Sequence, residues 1–402
     1  MFKKIIKLVL VSCLFVVGGC SANSASETDT KTTKKTEKKK KQKKTLTEEE
    51  QLEQRLNDWI SSHSLEEQVA QLFVIRPESL TGVDTVTQAS DVTKNALSQY
   101  PVGGIIYFSK NIETPDQTSQ MLANTKQYCQ ELGIETPFLT VDEEGGLVSR
   151  IADNENFNVE TFSSMWDIGQ TQDTNQATNV GNVIGSYLKE LGFNMDMAPD
   201  ADVLSNSENE VIGTRSFSSD PYVESEMVQA EVSALKAQGI IPVIKHFPGH
   251  GGTLGDTHEG YAYTDKTLDE LMADELIPFK NAIDNGIDVI MAAHISVPNV
   301  IGDNTPTTLS SYMITDVLRG QLGYDGLVIT DGMEMGAIVN SYDSATAAVM
   351  AIQAGCDMIL MPEDFVSAYN GIIDAVNNGT LSNDRIAQSV KRILKVKWKY
   401  LS

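Results

Sequence analysis

The sequence predicts an α/β fold, a single domain built as a (β/α)8 TIM-type barrel, and three observations predict it. Eight short, almost continuous apolar runs recur at 71–76, 103–108, 138–142, 194–198, 241–246, 288–295, 326–331 and 357–361. Amphipathic stretches long enough for helices separate them. Polar and glycine-rich residues gather just after the runs, at what would be strand C-termini. Continuous apolar runs are what strands buried on both faces look like. Their alternation with helical patterns points to a parallel sheet, and eight of them to a closed barrel over an open doubly wound one. A chain of 402 residues has room for such a barrel and for no second large domain.

The elements follow in order. Lys3, Lys4 and Lys7 precede a short apolar run at 5–17, then Val17-Gly18-Gly19-Cys20. The run is too short to span a bilayer comfortably, so it reads as a cleaved export signal over residues 1–20. Small residues before a cysteine resemble the bacterial lipobox, which makes Cys20 the expected lipidation site and the extracellular face of the cell membrane the expected location. Residues 21–47 carry nine lysines among Ser and Thr. They cannot bury apolar area and are expected to form a disordered tether, with the folded domain at 48–402. Overall there are 31 Lys+Arg against 55 Asp+Glu, but residues 1–47 hold 12 lysines and three acids, which leaves the body a formal charge of −33. A body that acidic repels phosphates, so nucleic acid is excluded as a partner. The body opens with a helix near Glu48, and Ser64-Leu65-Glu66-Glu67 is a capping-box start for a second. An amphipathic helix over 383–401 packs Ile386, Val390, Ile393 and Leu394 against the barrel. Cys129 and Cys356 read as buried free thiols.

The chemistry-bearing residues sit after the strands, on the face where barrels build active sites. The third strand leads into Val141-Asp142-Glu143-Glu144-Gly145-Gly146 and then Arg150. The fourth leads into acids at 196–202 and then Ile212-Gly213-Thr214-Arg215-Ser216-Phe217. The fifth carries Lys245-His246-Phe247-Pro248-Gly249-His250-Gly251 and then Asp256-Thr257-His258. The sixth delivers His294, and the seventh ends Thr330-Asp331-Gly332-Met333-Glu334. Breaking a glycosidic bond with retention needs a carboxylate nucleophile and a group that protonates the leaving oxygen and then deprotonates water. Asp331 at a strand tip suits the first role. A histidine oriented by a carboxylate can fill the second, and His258 lies two residues from Asp256. Lys245, Arg150, Arg215 and Asp142 would bind sugar hydroxyls.

Together these stretches resemble glycoside hydrolase family 3, its β-N-acetylglucosaminidase branch, with Lys245 to His258 the most specific segment. The resemblance implies a barrel whose strand order can depart from the regular one, and no cofactor or metal. By the same resemblance Asp331 is the nucleophile, and Asp256 with His258 forms the acid/base dyad on a mobile loop. Asp142, Arg150, Arg215, Lys245 and His246 form the sugar-binding set. The implied activity is retaining exo-β-N-acetylhexosaminidase on terminal β-linked N-acetylglucosamine, commonly in peptidoglycan fragments. Two departures stand out: threonine replaces the usual serine inside the dyad, and Glu259-Gly260-Tyr261 replaces a small apolar-proline sequence.

Several residues admit a second reading. His246 follows Lys245 on a strand, so alternation sends the two side chains to opposite faces unless the strand ends there. His250 and His294 read as satisfied or supporting histidines, and Glu143, Glu144 and Glu334 are further candidate carboxylates. A zinc hydrolase would need His246 and His250 on one face, and Pro248-Gly249 breaks any helix that would put them there. A phosphorylase or β-glucosidase of the same family competes with the hydrolase reading, as does a non-catalytic wall-sugar-binding lipoprotein.

Overall fold

The structure, a computed structural model, describes residues 46–401. Cys20, the expected signal at 1–20 and nearly all of the expected tether at 21–47 lie outside the described residues. Ten strands are present in the body: β1 Phe73–Ile75, β2 Gly104–Ile106, β3 Phe138–Val141, β4 Glu143–Gly145, β5 Val148–Ser149, β6 Met195–Asp196, β7 Ile241–Phe247, β8 Val289–Ala292, β9 Leu327–Gly332 and β10 Met358–Leu360. Eight of them close a barrel in the order β1-β2-β3-β6-β7-β8-β9-β10, and β10 returns to β1. Every barrel pairing is parallel, with registers such as Val74 opposite Gly104, Met195 opposite Ile241 and Val289 opposite Leu327. The strand order is therefore the regular one.

All eight expected runs hold a barrel strand, because residues such as Val74, Ile105, Leu139, Val243, Ile290, Val328 and Ile359 are buried between the barrel interior and the helices outside it. Most strands are shorter than the runs. At β6 the chain leaves the ladder before Pro199, which has no N–H to donate, and the Ala198–Pro199 bond is cis. Ser64 caps the helix Leu65–Ala70, accepting from Glu67 N at 3.2 Å while the Glu67 carboxylate accepts from Ser64 N at 2.7 Å. Cys129 and Cys356 are buried free thiols. Among the described residues, no helix is long and apolar enough to cross a membrane.

The last helix, Asn383–Tyr400, buries Ile386, Val390, Ile393 and Leu394 as its periodicity predicts. Its polar groups reach residues one or two positions before strands. Arg392 Nη1 lies 3.2 Å from the buried Asp357 before β10, Tyr400 donates to Asp288 before β8 at 2.6 Å, and Lys397 donates to Gln71 before β1 at 2.8 Å. The helix thus forms a floor under the N-terminal mouth and leaves the opposite mouth for chemistry.

Lys397 is 1 % exposed, and burial pushes its ammonium down to about 8. Between pH 8 and 10.5 the unfolded chain still binds this proton and the folded chain does not, so stability rises with pH through that window. The penalty present below pH 8 is about 3 kcal/mol. Lys397→Met is therefore expected to remove that rise. Urea unfolding of both proteins at pH 7.5 and pH 10 checks it, and a stability difference that does not change with pH would refute it.

Candidate active site

A cavity of about 400 Å3 opens at the C-terminal ends of the barrel strands. Arg76 enters it just after β1, Phe108 after β2, Asp142 after β3, Lys245 and His246 from β7, Asp331 from β9, and Met361 after β10. Arg150, Arg215 and His258 complete its polar wall. Seven of the eight site residues read from the sequence therefore line one space. The eighth, Asp256, stands behind His258: its Oδ1 is 2.7 Å from His258 Nδ1 and accepts the His258 backbone N–H at 2.8 Å. The dyad rides on a loop pinned at its base by paired backbone bonds between Leu254 and Tyr263. Gly336 N and Ala337 N anchor its tip by donating to His258 O and Thr257 O. The His258 side chain is 65 % exposed, so solvent reaches its ring.

Simple alternation fails at Lys245 and His246. The peptide between them is cis, and both side chains face the cavity. Lys245 Nζ lies 3.0 Å from Asp142 Oδ1 and 2.6 Å from Glu144 Oε1. Burial works against its charge, but those two carboxylates outweigh burial and hold the ammonium above its usual range. Glu144 also takes a two-pronged contact from Arg215, at 2.8 Å from both Nε and Nη2. Although Glu144 is buried, Arg215 and Lys245 hold it well below the carboxylate range. It thus braces the Arg215 and Lys245 cations and is held as a carboxylate by them.

Burial, reinforced by the Arg215 charge, pushes His246 down to about 4, so its ring is neutral at neutral pH. Arg215 Nη2 sits 3.4 Å from Nε2 and can only donate, which leaves the ring proton on Nδ1, 2.7 Å from Asp202 Oδ2. His294 is fixed below the site, Nδ1 against Thr308 Oγ1 at 2.8 Å and Nε2 against the Gly332 carbonyl at 3.0 Å. His250 is buried against Thr253 and Thr257. Burial works against ionisation of Asp331, but His246, His294 and the Gly332 N–H outweigh it and hold the carboxylate below its usual range. Asp331 is a carboxylate at neutral pH, as a nucleophile requires.

Among the described residues, Asp200, Asp202 and His246 offer ligand atoms within 4.8 Å of one another. His246 and Asp202 use theirs on each other, and Asp200 Oδ2, which has no hydrogen-bond partner among the described residues, faces a cation. Asp202 accepts from His246 and from the His250 backbone N–H at 2.5 Å, and Asp200 Oδ2 lies 3.4 Å from the Arg215 guanidinium. A divalent ion there would stand beside a buried cation, so the set reads as the support that orients His246.

The chain matches the family described as glycosyl hydrolase family 3 N terminal domain over residues 64–396. The chain belongs to glycosyl hydrolase family 3. It is 33% identical over 327 residues to beta-hexosaminidase A of Pseudoalteromonas piscicida, covering 75% of this chain and 54% of that protein. It is 34% identical over 290 residues to a beta-hexosaminidase of Nitrosomonas eutropha, covering 70% and 80%. Its fold superposes with a TM-score of 0.80, at 34% identity, on a glycoside hydrolase family 3 beta-N-acetylglucosaminidase from Paenibacillus sp. str. FPU-7, covering 85% of this chain and 63% of that one. The chain thus spans about half the length of the Pseudoalteromonas relative.

Within this family 3 chain, Arg76 and Phe108 join the site without having been read as site residues, and Glu143, a candidate carboxylate in the sequence, takes a supporting place instead. Glu143 never reaches the cavity; its carboxylate accepts Ile151 N, Ala152 N and the Tyr187 hydroxyl at 2.7–2.9 Å. It thereby shapes the segment that presents Arg150. Arg76 pairs with Glu334 across the cavity mouth, a contact between residues 258 positions apart. Phe108 lies beneath both Arg76 and Arg150, at 4.9 and 6.0 Å from ring centroid to guanidinium carbon.

Proposed function

We propose that this chain is a retaining, exo-acting β-N-acetylhexosaminidase that removes terminal β-linked N-acetylglucosamine, drawn from peptidoglycan fragments, and that a lipid anchor at Cys20 holds it at the extracellular face of the cell membrane. The observation that carries the catalytic part is the meeting of Asp331 and the Asp256-supported His258 in one cavity with an Asp142–Lys245–Glu144–Arg215 network. The name of the Paenibacillus neighbour, a beta-N-acetylglucosaminidase, supports the N-acetyl preference. At about 400 Å3 the cavity is near the small end of ligand sites, about 300–1,000 Å3, which suits one terminal sugar.

In the first step an Asp331 oxygen bonds to the anomeric carbon as the glycosidic bond breaks, and His258 Nε2 gives its proton to the leaving oxygen. In the second, Nε2 takes a proton from water, the water oxygen bonds to the anomeric carbon, and the ester to Asp331 breaks. Asp256 keeps Nδ1 engaged throughout, so the transferred proton is the one on Nε2. A histidine base carries no negative charge toward incoming phosphate, which makes phosphorolysis the second reading.

The purified protein incubated with nitrophenyl β-N-acetylglucosaminide and with the β-glucoside, with and without phosphate, tests the proposal. Release of free sugar from the N-acetyl substrate, at a rate indifferent to phosphate, is expected. A sugar phosphate product would replace hydrolysis with phosphorolysis. Cleavage of the glucoside alone would remove the substrate assignment.

A further inference from the structure

The segment that follows the nucleophile also carries the acid/base loop. Glu334, three residues after Asp331, is tied to Arg76 across the cavity mouth. Gly336 N and Ala337 N donate to His258 O and Thr257 O, each at 3.1 Å, and Asn340 Nδ2 donates to Glu259 O at 3.4 Å. The loop tip is one turn, because Glu259 N and Gly260 N both fold back on Asp256 O, at 3.1 and 3.0 Å. A displacement at Glu259 is therefore passed to Asp256 and His258 together. The contact is closest at Gly336. A β-carbon built there would stand 2.8 Å from His258 O, Glu259 C and Glu259 O, where ordinary contacts lie at 3.4–4 Å. All three neighbours are backbone atoms, which cannot swing aside as a side-chain tip can. Conformation does not ask for glycine here. Gly336 opens the helix Gly336–Val339 after an extended Met335, and its φ lies outside the left-handed region. In a helix alanine is the better residue. The bare backbone at 336 thus serves the loop that rests on it.

Retention needs the nucleophile and the acid/base group at a set separation around the anomeric carbon. Asp331 belongs to β9 and His258 to the loop after β7, with β8 between those strands in the barrel. The stretch 331–340 is what joins them. We propose that Gly336 is a positioning residue for the acid/base step. Its bare backbone is the seat of the dyad loop, and the segment held by β9 at one end and by the Glu334–Arg76 pair further on thereby sets where His258 stands relative to Asp331. The inference rests on the hydrolase reading above and adds to it a residue that acts on the proton transfer only through His258.

The test measures kcat/KM on dinitrophenyl β-N-acetylglucosaminide, whose leaving group needs no proton, and on an N-acetylglucosamine disaccharide, whose leaving group does. Gly336→Ala is expected to lower the disaccharide value about 30- to 100-fold, the order of loss that a misplacement near 1 Å brings. The dinitrophenyl value should fall less than about threefold, since the nucleophile is untouched. Asn340 is exposed, so Asn340→Ala leaves the core intact; it should lower the ratio, disaccharide over dinitrophenyl, about two- to threefold. Because the effect runs through His258, adding Gly336→Ala to His258→Ala should cost less than about a further twofold on the disaccharide. Equal losses on the two substrates, no loss on either, or a larger further loss in the double variant would each overturn the proposal. Should Gly336→Ala fail to fold, an unchanged ratio in Asn340→Ala would overturn it as well. A wild-type protein inactive on both substrates would instead count against the hydrolase reading itself.

Discussion

Asp331→Ala is expected to lower kcat on nitrophenyl β-N-acetylglucosaminide by on the order of 10⁵-fold or more, because the proposed mechanism loses the atom that bonds to the anomeric carbon in its first step. The fold should survive the change. The one hydrogen bond this carboxylate makes is with the N–H of the next residue, Gly332, so the melting temperature is expected to stay within a few degrees. Binding of N-acetylglucosamine should change little, since Lys245, Arg215, Asp142 and Arg150, the proposed sugar-binding set, would all still line the cavity. The assignment is sharpened by adding azide. A small anion can occupy the space left by the carboxylate and attack the same face, so turnover should recover with an α-configured glycosyl azide as product. A β-configured azide, or residual activity above about one part in a hundred of wild type, would exclude Asp331 as the nucleophile.

Much of this architecture was legible because barrel strands buried on both faces need apolar residues throughout, and no other common element produces eight such runs separated by helices. Strand ends were less legible: β6 is interrupted near Pro199, which has no N–H to donate, although Asp200 still pairs with Lys245 beyond it. The hairpin formed by β4 and β5 gave no signal at all. Glu143-Glu144-Gly145 has no apolar alternation, and its turn depends on Gly145 and Gly146 at φ 83° and 59°, a backbone property that carries no side-chain pattern. The placement of Asp331, Asp256 and His258 at one cavity could be anticipated because each sits in a short motif at or after a strand end. Glu144 could not, since a carboxylate that braces two cations looks in sequence like one that could act as a base. Its role depends on Arg215 and Lys245, which lie 71 and 101 positions away. Arg76 is a similar case, joined to Glu334 only by barrel closure. His246 shows the limit of alternation rules, which assume trans peptides on both sides of a strand residue.

His258→Ala should separate substrates by the acidity of their leaving groups. A dinitrophenolate departs without a proton, so kcat/KM for the dinitrophenyl glycoside is expected to fall less than about tenfold. An N-acetylglucosamine disaccharide must leave as an alkoxide unless protonated, and its kcat/KM should fall about 10²- to 10⁴-fold. The second step responds differently. Without His258 to take a proton from water, the ester to Asp331 hydrolyses slowly, so the activated substrate should give a burst of phenolate equal to the enzyme present, followed by a slow steady state. Asp256→Asn should shift both quantities in the same direction by less, because it removes the charge that steadies the ring yet leaves His258 in place. The loop geometry makes this a test of chemistry over folding: the His258 side chain is 65 % exposed and its ring meets Asp256 at 2.7 Å, so truncation opens no core cavity. Equal losses in kcat/KM on the dinitrophenyl glycoside and the disaccharide would show that no proton is delivered by His258. The acid would then have to be sought at the cavity mouth, where Glu334 is the remaining carboxylate outside the Lys245 network.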